Sequence, residues 1–265
     1  MSLAQELGPH LPYLRRYARA LTGSQERGDS FVRATLMAII DNPACFPTGI
    51  EARPGLYQLF HTIWATVNIE VQPDGAAESD PTRIAAEKLG RLTPLNRQAL
   101  LLTAMEGFSA ADAALIIGVA NEEMDALLEA ALAQIDSQIA TEVLIIEDEP
   151  IISMDLEEIV RELGHKVSGT AVTRKEAVAA AKHRQPGLVL ADIQLADGSS
   201  GIDAVKDILG GITVPVIFIT AFPERLLTGD RPEPTFLITK PFQRNAVKAA
   251  ISQALFLSST VSLAD

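Results

Sequence analysis

From Thr141 onward the chain is punctuated by short apolar runs: EVLIIEDEP (142–150), KVSGTAV (166–172), LVLADIQL (188–195), PVIFITAF (215–222) and TFLITKPF (235–242). Helical or turn-rich sequence separates them, with helical patterns over Ile152–Leu163 and Lys175–His183. Strands that alternate with helices predict a parallel sheet wound with helices on both faces, a doubly wound α/β domain over residues 141–258 with a short tail at 259–265.

The first 140 residues have a different texture. Leu14, Tyr17 and Leu21, and later Leu56, Leu59, Phe60, Ile63 and Val67, recur at helical spacing. Residues 82–138 again read as helices, with Gly107 and Gly118 as punctuation and Ser109 as an N-cap. Between them EVQPDGAAESDP, residues 70–81, is poor in apolar residues and reads as a linker. The expected layout is an all-α half of two helical domains, 1–69 and 82–140, joined at 70–81 and followed by the α/β domain. A length of 265 residues accommodates about two domains with cores of their own.

Net charge is −12, which disfavours nonspecific nucleic-acid binding overall. The lone Cys45 excludes an internal disulfide and suits a reducing compartment. The N-terminal residues lack a basic region followed by an apolar run, and no stretch approaches the ~18 apolar residues of a membrane span. A cytoplasmic location is expected.

Ligands of an open parallel sheet bind beyond the carboxyl ends of its strands. Those ends carry Glu147 and Asp148, then Asp192, Thr220 and Lys240. Crowded carboxylates repel one another unless a cation joins them, and hard oxygen donors suit Mg²⁺. One carboxylate can then attack phosphorus as an aspartyl nucleophile, with Lys240 and Thr220 holding phosphoryl oxygens.

The motifs LIIEDE, LVLADI, FITA and ITKPF resemble the receiver domain of two-component response regulators. The resemblance implies that Asp192 is the phosphoacceptor and that Glu147, Asp148 and Asp192 hold Mg²⁺. It makes Thr220 the switch hydroxyl and Lys240 the lysine of the site, with a histidine kinase as phosphodonor. Glu147 stands where many receivers have Asp, and Leu237 where they have the switch aromatic, so Phe222 and Phe236 become the candidates for a secondary switch. In this family the Lys240–Pro241 bond is cis.

Residues 92–136, LTPLNRQALLLTAMEGFSAADAALIIGVANEEMDALLEAALAQID, resemble region 4 of a group-4 sigma factor, a helix-turn-helix. YLRRYARALTGSQERGDSFVRATLMAII and GLYQLFHTIWATVN resemble sigma region 2. A recognition helix needs Lys or Arg for phosphates and base edges, yet residues 121–136 hold five acids and no base, and residues 1–140 carry ten Lys/Arg against 17 Asp/Glu. That helix is also strongly apolar, and Met124, Leu127 and Leu128 are its candidate partner-binding residues. Trp64 reads as a core residue. His10, His61, His165 and His183 show no ligand spacing, and no separate catalytic constellation appears, so the chain does not read as an enzyme.

A sigma-like half followed by a receiver is similar to the PhyR family of anti-anti-sigma regulators of the general stress response. The resemblance implies partner switching. Phosphorylation at Asp192 exposes the sigma-like half, which sequesters an anti-sigma factor of the NepR type and releases the true sigma factor. A receiver-controlled sigma factor or a DNA-binding response regulator are the alternatives, and both require basic residues on the helix at 121–136.

Overall fold

A computed structural model describes residues 3–70, 94–136, 140–223 and 234–261. Most of the linker expected at 70–81, residues 82–93 and most of the tail lie outside the described residues. The chain divides into two compact units, residues 1–131 with 260–265, and residues 132–259.

The first unit is helical. A short helix α1 (Leu3–Leu7) leads into α2 (Leu11–Thr22), which carries Pro12 in its first turn, where a missing N–H costs nothing. Gly23 ends it with a positive φ of 68°. The next helix, α3 (Gln25–Asp41), is capped by Ser24, whose hydroxyl accepts from Arg27 N. Gly28 lies against α2 so closely that a Cβ there would sit 2.8 Å from Arg19 N. Beside it, the buried Arg19 guanidinium forks onto Asp29, and Arg15 joins from the same helix. Helix α4 (Ala52–Glu70) supplies Leu56, Tyr57, Phe60 and Trp64 to the core.

Helix α5 (Leu95–Leu100) continues into a π-turn over Leu101–Met105. Gly107 then reverses the chain in the left-handed region, and α6 (Ala110–Ile117) and α7 (Asn121–Asp136) follow. Ser109 caps α6 by accepting from Asp112 N at 3.0 Å. Leu14, Tyr57 and Phe60 share one apolar cluster with Leu101, Phe108, Ile116 and Met124. The two helical stretches on either side of residues 71–93 therefore form a single unit.

The second unit is a five-stranded parallel sheet, β1 (Glu142–Ile146), β2 (Lys166–Ala171), β3 (Leu188–Ala191), β4 (Val216–Thr220) and β5 (Phe236–Thr239), in the order β2-β1-β3-β4-β5. β1 and β3 are buried nearly throughout, as strands covered on both faces must be. The connecting helices are α8 (Pro150–Glu162), α9 (Arg174–His183) and α10 (Gly201–Leu209), and α11 (Arg244–Val261) follows β5. Ala177 and Ala181 of α9 and Ala204, Val205 and Ile208 of α10 join the core on one face. α8 and α11 are tied to each other by Arg244, which bonds Asp155, Glu158 and Glu162, and by Lys248 on Glu162. This is the doubly wound architecture expected from the apolar runs.

Candidate functional site

The site is assembled where β1, β3, β4 and β5 stop. Asp192 N bonds Ile146 O at 2.8 Å and Lys240 N bonds Thr220 O at 2.7 Å. The sheet's own hydrogen-bond ladder thus sets Glu147, Asp192, Thr220 and Lys240 side by side. Asp148 follows Glu147 at the start of the loop into α8.

Lys240 Nζ lies 2.8 Å from Asp192 Oδ2 and 2.9 Å from Glu147 Oε1. Glu149 adds a third carboxylate at 3.3 Å. Asp192 Oδ1 accepts from Ile193 N at 2.5 Å, which fixes the carboxylate's orientation. Glu147, Asp148 and Asp192 each offer an oxygen within 4.8 Å of the other two. Burial, only partly opposed by Lys240 and reinforced by Asp192, pushes the Glu147 carboxyl up to about 7. Burial also works against the charge of Lys240, but Asp192 and Glu147 more than offset it and leave its pKa raised. One ammonium among this many carboxylates leaves the pocket short of positive charge. The donor set fits a divalent cation held by oxygen ligands.

Thr220 is fully buried, and its Oγ1 accepts from Phe222 N at 3.2 Å. Phe222 is exposed at the rim. Phe236 departs from expectation as a secondary switch. Side chains alternate along a strand, and β5 pairs Leu237 with Phe218 and Thr239 with Thr220. Phe236 therefore points to the opposite sheet face from Thr220 and is a buried core residue. The Lys240–Pro241 peptide is cis.

Two contributors were missed by the sequence reading. Glu149 was visible only as a third acid in EDE. Gly201, the first residue of α10, is so close to the end of β3 that a Cβ there would sit 1.7 Å from Asp192 O. A lone glycine in SSGID gives no sign of that approach.

In the helical unit the acidic helix α7 turns Glu122, Glu123, Asp125 and Glu129 to solvent. Full burial removes Met124 from the expected partner-binding surface, whereas Leu132 on the same helix is exposed. Met124 is fully buried, and Leu127 and Leu128 are half-buried against the same core. Trp64 is buried, its ring centroid 4.7 Å from that of Phe31. His61 is buried and bonds Tyr17 at 2.8 Å. Among the described residues, no helix is long and apolar enough to cross a membrane.

A doubly wound parallel sheet with this carboxylate, hydroxyl and lysine pocket defines a response-regulator receiver, here on a chain that begins with a sigma-like helical unit. Family models agree on all three parts. The sigma2 domain of PhyR matches residues 7–61, the sigma-like domain of the response regulator PhyR matches 89–138, and the response regulator receiver domain matches 143–252. The phyllosphere-induced regulator PhyR of Methylorubrum extorquens is 52% identical over 257 residues, covering 97% of this chain and 95% of that protein. The chain belongs to the PhyR family. The crystal structure of the response regulator PhyR from Brucella abortus shares 50% identity with a TM-score of 0.87, covering 100% of this chain and 98% of the other. That of the anti-anti-sigma factor PhyR from Bartonella quintana shares 52% identity with a TM-score of 0.86, covering 99% of each. The Bartonella quintana protein has also been crystallised in complex with the anti-sigma factor NepR.

Proposed function

We propose that this chain is a phosphorylation-controlled anti-anti-sigma factor that acts in the cytoplasm. Phosphorylated at Asp192, it binds an anti-sigma factor of the NepR type through its sigma-like unit and so frees the sigma factor that the anti-sigma factor restrains. The observation that carries this reading is the outward face of α7. It corresponds in sequence to a DNA-reading helix, yet among its described residues the exposed ones include Glu122, Glu123, Asp125 and Glu129 and no Lys or Arg. Phosphate would be repelled there, whereas a protein partner need not be.

The chemistry follows from the pocket. Asp192 attacks the phosphorus of a phosphohistidine on a kinase, forming a P–O bond as the P–N bond breaks. The departing imidazole nitrogen keeps the electron pair and takes up a proton. Glu147, Asp148 and Asp192 would hold Mg²⁺, whose charge would offset that of the incoming phosphoryl oxygens. Lys240, already 2.8 Å from Asp192 Oδ2, is in reach of a phosphoryl oxygen on that residue. The Thr220 hydroxyl, which accepts from Phe222 N–H, has its own proton to donate to a phosphoryl oxygen. Apart from this self-directed phosphoryl chemistry, the chain does not act as an enzyme.

The test is a titration of full-length protein with a purified NepR-type anti-sigma factor, before and after treatment with a small phosphodonor and Mg²⁺. Phosphorylation should tighten binding about ten-fold or more, which requires only ~1.4 kcal/mol of differential stability. Asp192→Asn should take up no phosphate and show no such gain. Equal affinity in both states would refute control by phosphorylation.

A further inference from the structure

Away from the acid pocket, the first unit buries a carboxylate at a place that local rules disfavour. Glu106 terminates the π-turn, its N–H bonding Leu101 O at 3.1 Å, immediately before the left-handed Gly107. Helix carboxyl ends repel negative charge, and the Glu106 side chain is fully out of solvent. Residues from α2 and α4 compensate. Arg16 places Nε 3.1 Å and Nη2 2.9 Å from Oε1. Tyr57 donates its hydroxyl to Oε2 at 2.9 Å. Arg53 bonds the Glu106 carbonyl and lies 4.1 Å over the Phe108 ring, while Tyr57 meets that ring edge-on at 4.9 Å. Every donor comes from the stretch similar to the PhyR sigma2 domain, and the acceptor comes from the stretch similar to its sigma-like domain.

Such a cluster adds little stability, since a buried ion pair is often no better than well-packed apolar residues of similar volume. Its distinct property is direction. Apolar contact between the two stretches is non-directional and tolerates sliding, whereas a guanidinium fork and a hydroxyl on one carboxylate accept a single placement.

We propose that Glu106 is a positioning residue for partner binding: it fixes α6 and α7 onto α2 and α4 in one arrangement, so that the anti-sigma factor meets a composite surface already formed. This rests on the anti-sigma-binding function proposed above. Without the clamp, the partner would have to order the two stretches as it binds, and affinity would fall by that cost.

The experiment uses full-length phosphorylated protein and purified NepR-type anti-sigma factor. Three variants separate charge, geometry and packing. Glu106→Gln keeps the shape and removes the charge, leaving Arg16 buried without its counter-ion. Arg16→Lys keeps the charge and loses the fork. The combined variant Arg16→Met, Tyr57→Phe and Glu106→Met removes both charges and the hydroxyl that Glu106 accepts from and remains packed, so it is informative if Glu106→Gln fails to fold. For the combined variant, a melting temperature close to that of the parent is expected, with amide exchange at 101–108 and 52–61 at least about ten-fold faster and partner affinity about ten-fold weaker. Arg16→Lys should weaken binding in the same direction despite its conserved charge. Unchanged exchange would show that Glu106 does not set the arrangement. Faster exchange with undiminished affinity would show that the arrangement is not what the partner reads. Either result overturns the proposal. If the unmodified, phosphorylated protein itself fails to bind the partner, the anti-sigma function is at fault, and this proposal about partner binding falls with it.

Discussion

His61 shows how far one side chain can tie the helical unit to solution conditions. Burial holds its imidazole near a pKa of about 3, with a side-chain bond from Gln98 opposing the shift. The folded state thus keeps it neutral while the unfolded chain protonates near 6.5. Its contribution to stability is complete above pH 6.5 and is lost as pH falls toward 3. Between pH 7 and pH 5 the expected loss is about 2 kcal/mol. Thermal melts followed through the helical unit should show this slope in the parent and not in His61→Gln; parallel slopes would refute it. Gly201 is the matching case in the receiver. Gly201→Ala must displace the Asp192 carbonyl, so phosphate uptake from a small donor should drop well below the parent rate while the far-ultraviolet spectrum stays native. Uptake at the parental rate would mean that the strand end yields without moving the carboxylate. Neither role was legible beforehand. The sequence identified the strand-end acids because each ends an apolar run, but a glycine's proximity to a carbonyl leaves no trace in composition.

At the scale of elements, the parallel sheet was the most legible part of the chain. Strands buried on both faces must be apolar throughout, so β1, β3 and β4 stand out against the helices, and their order along the chain brings Glu147, Asp192 and Thr220 to one edge. Helix α7 misled because its apolar stripe fits two uses, a partner surface or a core seam. Periodicity gives the stripe and not what covers it, and Met124 proved to be core. Phe236 misled in another way, since a one-residue step along a strand changes the face. The contact of α2 with α3 carries its own test. Gly28→Ala puts a methyl group 2.8 Å from backbone, and overpacking of this kind costs about 1–3 kcal/mol. The transition of the helical unit should fall by several degrees in calorimetry, and an unchanged transition would mean that α2 and α3 can separate freely.

Considered whole, the chain pairs a sigma-like scaffold with an acidic net charge that disfavours contact with phosphate. Residues 1–140 carry ten bases and 17 acids, a net of −7 of the chain's −12. Full-length protein, phosphorylated or not, should bind promoter duplex no more tightly than nonspecific contacts allow, weaker than about 1 µM at physiological salt. Tighter, salt-dependent binding in a gel-shift titration would restore the sigma-factor reading. What sequence reasoning could not foresee at this scale is that residues on both sides of 71–93 share one core, because the pairing of Arg16 with Glu106 spans 90 positions.

The placement of the aromatic residues makes the molecule its own reporter. Its one tryptophan and three tyrosines, Trp64, Tyr13, Tyr17 and Tyr57, all lie in the helical unit, and residues 132–259 contain neither type. Tryptophan and tyrosine absorbance and emission therefore originate entirely outside the receiver. Any change in that signal when Asp192 is phosphorylated is news carried from one unit to the other, readable without a label.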